Sequence, residues 1–404
     1  SVSNDILMER ASRRLAEDYH LLPLLGSLPG ETENTRGDVI RILSKDLAIN
    51  HDQILCTAKK YADNASDLRH PNKKVLLANK LLLACTPQYE RLFNKILSDD
   101  TRRGLRLFIE LRQDLLQFMK IQHDEETMIQ LKQLNESLRS LLSTWFSSET
   151  LNIKRLTFES TSAAIIEKIA KKEAVHPMKS LDDLRVRLGK DKRVYCAFHP
   201  LLPDEPLIFV HVALRPCKPC SMKEVLNTLD KTVPTVAVFY SISSTQPGLS
   251  GVALGEILIK KATELIQREL PSIDSFITLS PIPKFRSWLV EKLHHLIEEN
   301  TFIDSSILSD KDLEILMSSF GCDCSKEAVI CFSRHLADPW ALMSSYSDSL
   351  EPIFMRLGAR YLFLEKHRGR PLDAVGRFHI QNGAELYRLN YMADVSRKGL
   401  HNSL

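Results

Sequence analysis

A change of period part-way along the chain limits the fold more than any other feature. Up to residue 142, apolar side chains return at helical spacing: Leu7, Ala11 and Leu15; Val39, Ile42 and Leu43; Leu76, Leu77, Leu81, Leu82 and Leu83. The strongest runs are Leu105, Phe108, Ile109, Leu111, Leu115, Phe118 and Met119, then Ile129, Leu131, Leu134, Leu138 and Leu141. No convincing strand interrupts them, and breaks fall at Pro23 to Gly30, His70-Pro71-Asn72 and Thr86-Pro87. Residues 1–142 are expected to fold as an all-α helical bundle. Its leucines can bury against a copy of the same domain or within one copy, and the pattern serves both.

Beyond Trp145 the period becomes two. Leu151-Asn-Ile153-Lys-Arg-Leu156-Thr-Phe158 alternates as a strand, and Ser160-Thr-Ser162 caps a helix carrying Ile165, Ile166 and Ile169. Arg193 to Phe198 and Leu207 to Ala213 are extended runs joined by a proline-rich connection, which reads as a hairpin. Thr235 to Ser243 is a buried strand. Helices are expected over Leu289 to Ile297, Leu313 to Ser319, Lys326 to His335 and Pro352 to Leu364, then a basic, glycine-broken loop from Glu365 to Pro371. Residues 143–404 therefore read as a mixed α/β domain, and the whole as α+β.

Three places in this domain carry chemistry. The buried strand Phe276 to Leu279 stops at Ser280, because Pro281 and Pro283 lack the N–H a ladder needs. A hydroxyl presented at a strand end is where open α/β folds place ligands; the plain alternative is a serine capping the next helix. Second, of the 14 glycines in the chain, three fall at Gly248, Gly251 and Gly255, where the Thr235 strand gives way to an amphipathic helix whose apolar residues recur from Val252. Such a turn offers free N–H groups and a positive dipole end to a phosphate, or it is a tight strand-to-helix connection. Third, His379 lies among apolar neighbours beside a turn-forming Asn382-Gly383, as a catalyst or as a core or turn histidine.

Other features exclude more than they assign. A net charge of +3 is too small to point to nucleic acid. No run reaches the roughly 18 apolar residues that a membrane span needs. The eight cysteines are scattered, which suits reduced thiols; Cys217 and Cys220 lack a second pair at zinc spacing and read as surface-loop thiols. The chain begins without methionine or an apolar signal core, as a trimmed chain or a fragment would.

Taken together, Leu279-Ser280-Pro281-Ile282-Pro283-x-Phe285, Gly251-Val-x-Leu-Gly255, Glu365-Lys-His-Arg-Gly369 and Phe378-His379-x-Gln-Asn-Gly383-Ala384 closely resemble the malonyl-CoA decarboxylase family. The resemblance runs over essentially the whole chain and implies a helical domain followed by a catalytic domain of the GNAT acyltransferase fold. It implies a carboxy-lyase that splits malonyl-CoA into acetyl-CoA and CO2 with no metal or organic cofactor. Catalytic roles fall on Ser280 and His379, and substrate binding on Ser241 and on the turn Ser250, Gly251, Val252, Ala253, Leu254, Gly255 and Glu256. It also implies a mitochondrial setting, with peroxisome and cytosol as alternatives; self-association is expected from the leucine-rich helical domain itself. Ala253 stands where the family has glutamate. The chain stops short of the family's last segment, which holds an active-site tyrosine, and so reads as a C-terminally truncated form. A GNAT-type acyltransferase and a non-catalytic CoA-thioester binder are the alternatives.

Overall fold

The computed structural model describes residues 31–64, 71–178, 180–229, 233–299 and 307–403. The spacing at Leu7, Ala11 and Leu15, the break at Pro23 to Gly30, and His70 lie outside them. Helix α1 (Glu31–Arg41) runs into a π turn (Ile42–Asp46), followed by α2 (His51–Asp63), α3 (Pro71–Ala84), α4 (Gln88–Asp99), α5 (Thr101–Ile121) and α6 (Glu125–Trp145). Asn50, Asp100 and Asp124 set three of the starts, each accepting the N–H of the third residue on. Leu105, Phe108, Leu111 and Leu115 of α5 share a dry core with Leu131, Leu134, Leu138 and Leu142 of α6. Helices α2 and α3 pack on each other and leave Leu55, Val75, Leu76, Leu82 and Leu83 exposed.

The sheet has strand order β1 to β5: β1 (Asn152–Leu156), β2 (Lys192–Phe198), β3 (Ile208–Arg215), β4 (Val236–Ser244) and β5 (Ser275–Thr278). The first four strands run antiparallel, with β2 and β3 as the expected hairpin. Strand β5 lies parallel to β4, which requires a crossover, and the glycine turn feeds that helix. One face of the sheet joins the helical bundle in a single core, in which Val210, Val212, Ala237 and Phe239 meet Leu107, Ile109 and Leu249. The other face is covered by α7 (Ala163–Lys172), which Ser162 caps as expected, α8 (Leu181–Arg187) and α9 (Met222–Leu226). Cys217 and Cys220 lie exposed just before α9.

Two details shape the end of β4. The β3–β4 register shifts between His211 and Val212, which face Ser241 and Phe239, so Tyr240 is the extra residue of a β-bulge. Pairing of β4 with β5 ends at Phe239 with Thr278, closed by Leu279 N–H to Phe239 O at 3.0 Å. Strand β4 continues to Ser244 while the Pro281-x-Pro283 elbow leads the other chain away, so the two strands splay apart. Strand β5 was expected to be buried; at the sheet edge it is only half-buried, with Thr278 exposed.

A second core is built from the helices that follow the sheet. The crossover is α10 (Leu254–Glu269); α11 (Phe285–Glu299), α12 (Asp310–Phe320), α13 (Ser325–His335) and α14 (Pro339–Phe363) enclose Trp288, Leu293, Phe332, Leu357 and Tyr361. The last of these was expected to begin at Pro352. It begins at Pro339, where Asp338 accepts the Ala341 N–H, and Pro352 sits inside it. The expected loop from Glu365 to Pro371 is instead a hairpin, β6 (Lys366–His367) and β7 (Arg370–Pro371), turned by Arg368 and Gly369 at φ +50° and +76°. Helices α15 (Ala374–Gln381) and α16 (Arg397–Asn402) complete the chain.

Candidate active site

Ser280 lies two residues past the end of β5, at the mouth of the splay, and its Oγ is 2.9 Å from Nε2 of His379. The histidine sits in the last turn of α15. Buried Asp373 starts that helix by accepting the Gly376 N–H at 2.7 Å. Asn382-Gly383 stops it, with Gly383 at φ +81° and Ala384 N–H donating to His379 O at 3.0 Å. The Ser280 hydroxyl makes no bond to the helix that follows it among the described residues, so it is not a helix cap. Burial lowers the His379 pKa below its ordinary value, so the imidazole is neutral at neutral pH.

Residues of the turn divide by role. Pro247–Leu249 forms one 3₁₀ turn, Gly251 takes φ +77°, and Ala253 precedes the first residue of α10. The N–H groups of Gly251, Ala253, Gly255 and Glu256 find no acceptor among the described residues, so the helix start has free donors at its positive dipole end. Ser250, Gly251 and Ala253 are exposed; Val252 and Leu254 turn inward. The Glu256 carboxylate pairs with Lys260 at 2.6 Å. A Cβ at Gly255 would lie 3.1 Å from Cζ of Phe378, the neighbour of His379. That contact holds the turn and the Ser280–His379 pair side by side.

Ser241, the other predicted binding residue, is buried and already engaged. Its hydroxyl donates to Glu173 Oε1 at 2.7 Å. The same oxygen accepts N–H groups of Val175 and His176 at 2.8 and 2.9 Å, and Oε2 lies 3.1 Å from His211 Nε2. Burial works to raise the Glu173 pKa, but His211, the His176 N–H and the Ser241 hydroxyl overcome it and bring it down to about 2. Neither Glu173 nor His211 was singled out from sequence. A signal existed for the histidine: it interrupts the apolar run Leu207 to Ala213, where a buried polar group needs a partner.

A carboxyl held below its ordinary value stabilises the fold above that value, and the contribution fades as the pH falls toward 2. Glu173→Gln is expected to cost about 3 kcal/mol at pH 7, since it breaks a buried pair. The difference in melting temperature from the unaltered chain should narrow between pH 7 and pH 3. An equal difference at both pH values would exclude the charge of the Glu173 carboxylate as the cause.

Comparison with known proteins places the chain in a family. The family "Malonyl-CoA decarboxylase N-terminal domain" matches residues 48–146, and "Malonyl-CoA decarboxylase C-terminal domain" matches residues 149–404. The mitochondrial malonyl-CoA decarboxylase of Rattus norvegicus is 34% identical over 374 residues, 91% of this chain and 74% of the relative. That of Anser anser anser is 33% identical over 376 residues, 92% and 73% of the two chains. The crystal structure of malonyl-CoA decarboxylase from Rhodopseudomonas palustris superposes with a TM-score of 0.73 at 30% identity, over 99% of this chain and 90% of its own. The Agrobacterium vitis structure gives 0.74 at 28% identity with the same coverage. With both of its parts matched in order, the chain belongs to the malonyl-CoA decarboxylase family.

Proposed function

We propose that this chain converts malonyl-CoA to acetyl-CoA and CO2, and so sets the malonyl-CoA level in fatty-acid metabolism. The observation that carries the reading is the 2.9 Å contact of Ser280 with His379 at the mouth of the β4–β5 splay, beside a turn with free N–H groups. Loss of CO2 breaks the bond between the carboxylate and the α-carbon, and its electron pair moves onto the thioester oxygen as an enolate. The site must therefore stabilise that oxygen and deliver a proton to the α-carbon. His379 takes the polariser or proton-donor role. Ser280 holds the departing carboxylate perpendicular to the thioester plane, where the breaking bond overlaps the carbonyl π system.

The thioester itself is the electron sink, so the reaction as read here draws on no metal or organic cofactor; CoA enters as part of the substrate. The turn from Ser250 to Glu256 takes the CoA diphosphate on its N–H groups. Ser241 contributes from below the bulge, its hydroxyl fixed by Glu173. The exposed leucines of α2 and α3 support self-association through the helical region. The names of the rat and goose relatives support a mitochondrial setting.

Release of labelled CO2 from carboxyl-labelled malonyl-CoA by the chain alone tests the reading. An acylated amine formed without CO2 would select an acyltransferase, and tight binding without turnover a thioester-binding protein.

A further inference from the structure

Arg112 reaches from the middle of α5 into the contact between the helical region and the glycine turn. It is 2% exposed. Its Nε donates to Asn135 Oδ1 at 3.0 Å and its Nη1 to the Gly248 carbonyl oxygen at 2.6 Å. Both acceptors are neutral, and no carboxylate lies at ion-pair distance from Arg112 among the described residues. The nearby Glu136 carboxylate is taken by Arg139. A guanidinium does not shed its proton, so this is a buried positive charge that the Glu136 carboxylate, paired with Arg139, offsets only from a distance, an arrangement that is costly unless something else supplies a direct negative partner.

The surroundings indicate where that partner sits. Nη2 of Arg112 lies 3.9 Å, and Cδ of Arg139 3.7 Å, from the point a Cβ would occupy on Gly251. Gly251 takes φ +77°, and its N–H is one of the four in the turn that find no acceptor among the described residues. Burial, and then repulsion by Arg139, lower the Arg112 pKa, and the Glu136 carboxylate only partly offsets them, as expected where two cations converge near a turn with unfilled N–H groups.

We propose that Arg112 is the counter-cation for the diphosphate of the CoA thioester, so that the helical region forms one wall of the substrate site. The inference rests on the reading of the turn as the CoA phosphate site. Arg112 contacts the nucleotide end of the substrate and takes no part in breaking the carbon–carbon bond. Its effect falls on substrate affinity and on the preference for full CoA over a thioester lacking the diphosphate. A planar guanidinium fixed by Asn135 and Gly248 O presents its remaining N–H groups in a preformed direction, which suits an anionic oxygen better than a flexible ammonium does.

The test compares malonyl-CoA with malonyl-pantetheine, which carries the reacting thioester and no diphosphate, in the unaltered chain, Arg112→Gln and Arg112→Lys. Arg112→Gln should raise KM for malonyl-CoA about 10- to 100-fold, the size of one charge-assisted hydrogen bond. Its kcat should hold, the loss should be confined to the substrate with the diphosphate, and Arg112→Lys should recover part of it. Should Arg112→Gln fail to fold, Arg112→Lys, which keeps the charge and loses the planar fork, must show a smaller rise with the same selectivity. Equal losses on both substrates, or an unchanged KM, would overturn the proposal. If the unaltered chain itself does not prefer malonyl-CoA, or releases no CO2, it is the reading of the turn or of the reaction that fails.

Discussion

Ser280→Ala and His379→Ala are each expected to lower kcat for CO2 release by about 100- to 10,000-fold, the range for loss of a positioned proton-transfer group. The two side chains share a hydrogen bond at 2.9 Å, so the double variant should be little worse than either single one, as for groups that act as a unit. Substrate affinity should change far less, because the turn proposed to take the diphosphate is untouched. The unaltered enzyme should lose activity on acidification: burial keeps His379 neutral at pH 7, and protonation would remove the ring lone pair through which Nε2 can accept the Ser280 hydroxyl. The fold contribution has the same sign, since an unfolded histidine takes up the proton more readily than the buried one. Wild-type turnover in either single variant would remove the pair from the mechanism.

Gly248→Ala should produce the second large effect, through packing. A Cβ at this position would lie 1.9 Å from the carbonyl oxygen of Ile109 and 2.7 Å from its carbon. Backbone of α5 cannot move aside cheaply, so the turn must lift off the helical region. Overpacking of this kind typically costs 1–3 kcal/mol, and backbone against backbone puts it at about 3 kcal/mol. The Arg112 bond to the Gly248 carbonyl would go with it. We expect a lower melting temperature together with a raised KM for malonyl-CoA. Gly37→Ala is the control: its Cβ would meet nothing nearer than Phe118 at 3.9 Å, and alanine is the better helix former. Equal melting temperatures for the two variants would show that the close approach is not needed.

Much of the fold was legible because its signals are local. Alternation at Leu151 to Phe158, the hairpin around the proline-rich connection and the cap at Ser162 each depend on a few neighbouring residues, and each appears where expected. The errors arose where context overrides a local rule. Strand β5 has the composition of a buried strand, yet it lies at the sheet edge and is only half covered. Pro352 reads as a helix start, but packing of α14 into the second core carries the helix through it. The basic loop became a hairpin because Arg368 accepts a left-handed φ that sequence favours for glycine or asparagine.

The sequence by itself determined the order of helical region and sheet, the halt of a strand at Ser280 and the concentration of glycines before α10, because periodicity, missing N–H groups and glycine frequency act within a few residues. Only the tertiary structure decided which groups meet: Ser280 with His379 across 99 positions, Ser241 with Glu173 across 68, and Arg112 with Gly248 across 136. Contacts that distant are made by the packing of whole elements on a shared core, which brings a buried charge to its partner and leaves no pattern in the intervening chain.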